Sequence, residues 1–195
     1  MGRPATISRE QILDAAIEIL EEGGLGKVSM RRVGRALGVE AMSLYRHVDG
    51  KAGLLDGLHE RLLGRMGPVM ATGDWRHDLE AHARAFRQLL RRYPSAVPLF
   101  ARRAAITPGS VAYLELGLTI LAEAGLPPRQ ALFAFQALYE LVVGHAQFQR
   151  GHDETPALDG FPRAAAALGD GYDPDTGFDF ALTCLLDGIA GRAQR

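Results

Sequence analysis

Between positions 27 and 51 the chain carries six basic side chains, Lys27, Arg31, Arg32, Arg35, Arg46 and Lys51, against only two acids, Glu40 and Asp49. The segment is therefore locally +4, although the whole 195-residue chain is −1. Ser43, Tyr45 and His47 lie among these cations and can donate hydrogen bonds. Such a set suits a polyanion: lysine and arginine neutralise phosphates and release counterions, and an arginine fork can take guanine O6 and N7. No other group assembles into reactive chemistry. His77 and His82, with Asp78 and Glu80 between them, are five residues apart, so they fall on different helix faces and match no common zinc spacing. There is no glycine-rich phosphate loop, no Gly-x-Ser-x-Gly elbow and no cysteine with a matched histidine. The expectation is no catalytic residue, no metal and no cofactor.

The basic residues must be held by two short helices. Ser29 is a good N-cap, and Val33, Ala36 and Leu37 share one face of the run that follows. Gly38 stops it, Val39 plugs the corner, and a second helix of roughly eight residues turns Leu44 and Val48 inward at i and i+4. Met42, Ser43, Tyr45, Arg46 and His47 then point outward. Helices under about 12 residues are marginal alone in water, so this pair must be packed on neighbours, as in a helix-turn-helix. The scaffold precedes it: Ser8 and Gln11 form a capping box, Ile7 and Ile12 a staple, and Ile12, Ala15, Ala16, Ile19 and Leu20 a stripe ending at Gly23 and Gly24.

With that helix in front, the run Leu-Gly-Val-Glu-Ala-Met-Ser-Leu-Tyr-Arg-His-Val from Leu37 to Val48, then Lys51 and Leu54-Leu55, resembles the DNA-binding domain of the tetracycline-repressor (TetR) family over residues 8–66. The resemblance places Arg31 in the major groove, with Ser29 and Met30 beside it. It assigns Ala41, Met42 and Ser43 to base edges, and Tyr45, His47 and Lys51 to phosphates, with Arg46 suited to either. Arg3 could reach a minor groove, although a terminus is more often disordered. An all-α protein follows: a helix-turn-helix domain over 1–50, a connecting helix over 51–66, and a ligand-binding and dimerisation domain over 67–195.

Composition agrees with an ordinary globular chain, 47% hydrophobic and 23% charged. No stretch approaches the about 18 apolar residues of a membrane span, and residues 1–16 carry charges where a secretory leader would be apolar. A cytoplasmic protein without membrane contact is expected. The single cysteine, Cys184, cannot form an intrachain disulfide and reads as a core residue.

Beyond position 50, Leu54, Leu55, Leu58, Leu62 and Met66 mark the connecting helix, and Trp75, Leu79, Ala83, Phe86 and Leu90 another up to Pro94. Thr107 and Pro108 open a helix that Gly125 and Pro127 stop. Residues 128–150 are apolar almost all round, 151–174 read as a loop with a short helix over 163–168, and a last helix covers 175–192. By resemblance the long helix and the last one form a dimer interface, with Leu132, Leu138, Val142, Phe178, Ala181, Leu182, Leu185, Gly188 and Ile189 as candidates. Two heads about 34–36 Å apart can read a palindrome that one cannot. Candidates to line an effector cavity are His82, Phe86, Phe100, Arg103, Tyr113, Phe135, Gln136, Tyr139 and His145.

In the tetracycline repressors a histidine and a threonine near the sixth helix help hold a magnesium-bound drug. This chain has Leu99-Phe100-Ala101-Arg102-Arg103-Ala104 there, which favours an apolar or aromatic small molecule. The implied mechanism is a tilt of the connecting helix: over about 24 Å, a tilt of about 6° moves the far end by roughly 2.5 Å, enough to break base contacts. The resulting expectation is a homodimeric repressor of a palindromic double-stranded operator, released by its effector. The alternative is a helical carrier or partner-binding protein without operator binding.

Overall fold

A computed structural model of the chain describes residues 7–102, 107–148, 158–168, 171 and 173–193. Among these residues the architecture is all-helical: ten α-helices, two short 3₁₀ turns and no strand.

Helix α1 (Arg9–Gly23) starts where the capping box predicts. Ser8 Oγ accepts from the Gln11 amide at 3.2 Å, and Gln11 Oε1 accepts from the Ser8 amide at 2.9 Å. It buries Ile12, Ala15, Ala16 and Leu20, as the spacing requires, and also Leu13 and Ile17, while Ile19 is only half-buried. The buried face is wider than the stripe because α1 is packed by more than one neighbour, including the helices over Met30–Ala36 and Gly50–Leu63 and the 3₁₀ turn at Pro94–Ala96.

Helix α2 (Met30–Ala36) is capped by Ser29, whose Oγ accepts from the Arg32 amide. Its inward face differs from the expected one. Met30, Val33 and Gly34 are buried and Leu37 half-buried, an i, i+3, i+4, i+7 stripe, whereas Ala36 is exposed. Gly34 is the reason. A Cβ there would stand 2.9 Å from the Val39 carbonyl oxygen and 3.1 Å from the Ala41 nitrogen, so the helix turns its one bare position to the chain it crosses. Gly38 follows with φ 70°, the left-handed conformation that glycine adopts without strain. Helix α3 is only Ala41–Leu44, half the expected length. Residues 45–48 continue it as tighter turns, with the His47 amide bonding the Leu44 carbonyl at 2.9 Å. Leu44 and Val48 are buried as expected.

Helix α4 (Gly50–Leu63) buries Leu54, Leu58 and Leu62 and touches both α1 and, further along the chain, α7. α5 (Trp75–Arg92), α6 (Val97–Arg102), α7 (Pro108–Glu123) and α8 (Pro128–Phe148) form the main bundle; α9 (Pro162–Leu168) has no buried residue, and α10 (Pro174–Ala193) packs on α8. Thr107 caps α7 with Ser110 at its third position. Cys184 is exposed, not core. It lies off the inward stripe of α10, which runs Phe178, Leu182, Leu186, Ile189. No single helix among the described residues is long and apolar enough to cross a membrane.

Candidate DNA-reading head and effector cavity

Helices α2 and α3 present the head. Arg31, Arg32, Arg35, Arg46 and Lys51 are exposed, as are Met42 at 72% and Tyr45 at 51%, while Ser29, Ala41, Ser43 and His47 are half-buried. Met30, expected beside Arg31 on the groove-facing surface, instead turns its side chain into the core. Among the described residues, none of the six head cations is ion-paired within the chain, whereas Arg9, Arg61, Arg65, Arg76, Arg84, Arg87 and Arg91 are each paired with a carboxylate. Most arginines of the helices behind the head are compensated in this way, whereas the six cations of the head stand, among the described residues, without an intrachain carboxylate partner.

A second feature lies between α4, α6, α7 and α8: a cavity of about 680 Å³. Phe100, Tyr113, Phe135, Gln136 and Tyr139 line it as expected. Its inner wall is a ring cluster. Phe86 stacks on Tyr139 at 5.0 Å between centroids and meets Phe100 edge-on at 5.4 Å; Tyr113 and Phe135 are 5.6 Å apart. Burial pushes both tyrosine hydroxyls up in pKa, and Tyr139 donates to the Phe100 carbonyl at 3.2 Å.

Other expectations are redistributed. Phe86 and His82 stand behind the lining, buried, with the His82 ring stacked on Tyr113 at 4.5 Å and burial lowering its pKa from 6.5 to about 4. His145 is on the far side of α8, 3.3 Å from Arg87 and 5.2 Å from the Phe178 ring, so it does not line the cavity. Arg103 lies outside the described residues. His59 and Leu63 of α4, Ser110 of α7 and Glu140 of α8 also line it, and the sequence reading missed them. The i, i+4 pair His59 and Leu63, one step round from Leu58 and Leu62, was the available signal. Leu132, expected at an interface, belongs to this lining too.

The cavity is mechanically tied to the head. Next to His59, Glu60 Oε1 accepts from the Gly109 amide in the first turn of α7 at 2.9 Å, and its other oxygen pairs with Arg9 of α1 at 3.4 Å. Arg61, the next residue of α4, and Arg65, just past its end, both grip Asp14 of α1, holding its carboxyl below the ordinary pKa, while Arg65 also donates to the Tyr93 hydroxyl at 2.9 Å. Thus α4 bonds the head on one side and the cavity wall on the other.

Of the residues expected at a dimer interface, Leu138, Val142, Phe178, Leu182 and Ile189 are buried in the protomer's own core. Ala181 and Leu185 are half-buried and Gly188 exposed. An apolar groove of about 540 Å³ runs between α8 and α10, lined among others by Phe133, Ala137, Leu185 and Gly188; Phe133 is 56% exposed.

Two family models cover this layout: "Bacterial regulatory proteins, tetR family" over residues 12–58, and "Tetracyclin repressor-like, C-terminal domain" over residues 67–193. The chain belongs to the TetR family. The HTH-type transcriptional repressor DrrR1 of Streptomyces coeruleorubidus is 30% identical over 96% of this chain and 79% of its own length, and the class D tetracycline repressor of Escherichia coli is 30% identical over 95% and 90%. A possible TetR family regulator from Streptomyces coelicolor A3(2) superposes with a TM-score of 0.80 at 27% identity, covering 96% of this chain and all of that one. Apo ActR of Streptomyces coelicolor, at 22% identity, shares the fold with a TM-score of 0.87 over 98% of this chain and 99% of its own. As a TetR-family member this protein is a ligand-responsive, DNA-binding transcriptional repressor rather than an enzyme.

Proposed function

We propose that two copies of this chain bind a palindromic operator in the cytoplasm through Arg31, Ser43, Tyr45, Arg46, His47 and Lys51, and that an aromatic, metal-free small molecule entering the ring-walled cavity releases them. The unpaired cations of the head carry this reading: unpaired cations that border an exposed apolar and tyrosine face suit a nucleic acid groove. The domain division follows α4, with residues 1–50 reading DNA, 51–66 connecting, and 67–195 sensing and dimerising. The groove between α8 and α10 is the surface offered to the second copy; its apolar lining is the kind of surface dimers cover.

The effector is assigned by the wall. Rings from three helices, Phe100 of α6, Tyr113 of α7 and Phe135 and Tyr139 of α8, favour a flat aromatic molecule, with Gln136, Glu140, Ser110 and His59 able to orient polar substituents. A TetR variant from Acinetobacter baumannii AYE, 26% identical to this chain, forms a complex with minocycline, which supports a small-molecule effector here. This chain offers Phe100 and Ala101 near the sixth helix, and that composition supports a ligand held by rings rather than by a bridging metal. The coupling needed is small, since about 1–3 kcal/mol changes operator affinity roughly 5- to 150-fold.

The test is selection of binding sites from random duplexes with the purified chain, followed by titration. An inverted repeat should be enriched, Arg31→Ala should lose it while keeping the dimer and its thermal response to aromatic compounds, and affinity should fall steeply with salt. An Arg31→Ala variant that shifts the selected duplex as the wild type does would support the carrier alternative.

A further inference from the structure

We infer that Met42 reads the C5-methyl group of a thymine, so that each operator half-site contains one thymine whose methyl, rather than its hydrogen-bonding edge, is recognised. The inference rests on the proposed placement of α3 in the major groove.

Three observations carry it. Met42 is on the outward side of α3, 72% exposed, although its side chain is apolar. Its backbone is fixed from both sides. Leu44 and Val48 are buried beneath it, and Gly34 brings α2 within backbone contact of Val39 and Ala41, so the head cannot turn Met42 inward without dismantling that crossing. The flanking residues also leave it the apolar role: Ala41 has no polar group, and Ser43, half-buried, has only a short hydroxyl.

A methionine cannot use the donor and acceptor pattern by which purine edges are told apart, because its thioether sulfur is only a weak acceptor. In the major groove the apolar group that base edges present is the thymine methyl. The side chain suits that target: it is unbranched, polarisable and able to adjust along the groove floor. Tyr45, three residues on and half-exposed, extends the apolar surface, while the unpaired Arg46 lies beside it to take phosphate or guanine. The methyl contact therefore supplies sequence preference at one base pair, and the cations supply affinity across all of them.

Deoxyuridine differs from thymidine only by the missing methyl and pairs identically, so single-position replacement isolates the contact. With the selected operator duplex, replacing one thymine per half-site at the contacted position should weaken binding about four-fold per half-site and about fifteen-fold for both, from about 0.8 kcal/mol per buried methyl group. Replacement at other thymines should change affinity less than two-fold. Met42→Ala, at an exposed position that should not disturb folding, should bind the thymine and uracil duplexes alike, and Met42→Leu should restore most of the difference. Two results overturn the inference: a wild-type protein indifferent to uracil at every thymine, or discrimination that persists in Met42→Ala. If no sequence is enriched at all, the operator-binding reading fails first, and that outcome is distinct from an enriched operator that ignores the methyl.

Discussion

Replacing Gly117 by alanine sets two effects of known size against each other. Gly117 is in the interior of α7, where alanine is normally the better helix former by about 1 kcal/mol. On propensity alone the variant should be stabilised. The structure gives the opposite sign. A Cβ at 117 would stand 2.2 Å from both Cδ2 and Cε2 of Phe135, well inside any real contact. Phe135 is itself packed, with Tyr113 at 5.6 Å and His82 at 5.7 Å between ring centroids, so the ring must move by more than about 1 Å, and the open direction is the cavity that it lines. Overpacking of this kind costs about 1–3 kcal/mol. Offset by the helix gain, the net is a loss of about 0–2 kcal/mol, or roughly 0–8 °C of melting temperature at about 2–4 °C per kcal/mol for a chain of this size. The cavity shrinks at the same time, so aromatic compounds that raise the melting temperature of the wild type should do so less. Phe135→Leu in the Gly117→Ala background should recover stability by more than Phe135→Leu alone allows, giving a coupling energy between the two sites. Urea denaturation of the four proteins measures it. A Gly117→Ala protein about 1 kcal/mol more stable than wild type, with no coupling to position 135, would refute the packing argument.

Gly34→Ala should act in the same direction on the head. The Val39 carbonyl oxygen, 2.9 Å from the added Cβ, is backbone and cannot swing away, so operator affinity should fall at least ten-fold in a gel shift while cavity ligands still bind. Below neutral pH the protein should lose stability through His82. Its folded pKa is about 4 against an unfolded 6.5, so the unfolded state takes up the proton first, and the loss begins near pH 6.5 and is complete below about 4. At pH 5 it amounts to about 2 kcal/mol by linkage, and His82→Phe should flatten that limb of the urea-midpoint profile. Leu185→Asp, placed in the groove between α8 and α10, should yield a monomer in sedimentation experiments, with weakened operator binding because two heads are no longer joined.

The parts of the head that follow from local chemistry were legible in the sequence. Ser8 and Ser29 cap because a hydroxyl accepts from the free amides of a first turn, and Gly38 ends α2 because φ near 70° is cheap only for glycine. Leu44 and Val48 point inward because their spacing allows little else. What escaped was set by packing across the turn rather than by local capping chemistry. Gly34 looks like a helix-weakening residue until Val39 and Ala41 are seen crossing it, and that crossing rotates α2 enough to bury Met30 and expose Ala36. The eight-residue reading helix was a periodicity argument. One α turn followed by tighter turns satisfies the same inward pair.

The cavity escaped for a different reason. An aromatic on an amphipathic helix has the same spacing whether it faces a solid core or a hollow one, so Phe86 and Phe100 could not be told apart in the sequence, although only Phe100 lines the space. The distinction matters for signalling. His59 and Ser110 face the cavity, and the neighbouring Glu60 and Gly109 are bonded to each other at 2.9 Å. A ligand that pushes His59 and Ser110 apart acts on that bond directly. Glu60 also pairs with Arg9, and the adjacent Arg61 holds Asp14, so strain there reaches α1, against which α2 is packed. On this geometry, Glu60→Gln, which keeps the shape but removes the charge, should leave dimerisation and cavity binding intact. It should reduce by several-fold the effect of any cavity ligand on operator affinity, as measured by paired titrations with and without that compound. Equal ligand effects in the variant and the wild type would show that the signal leaves the cavity by another path.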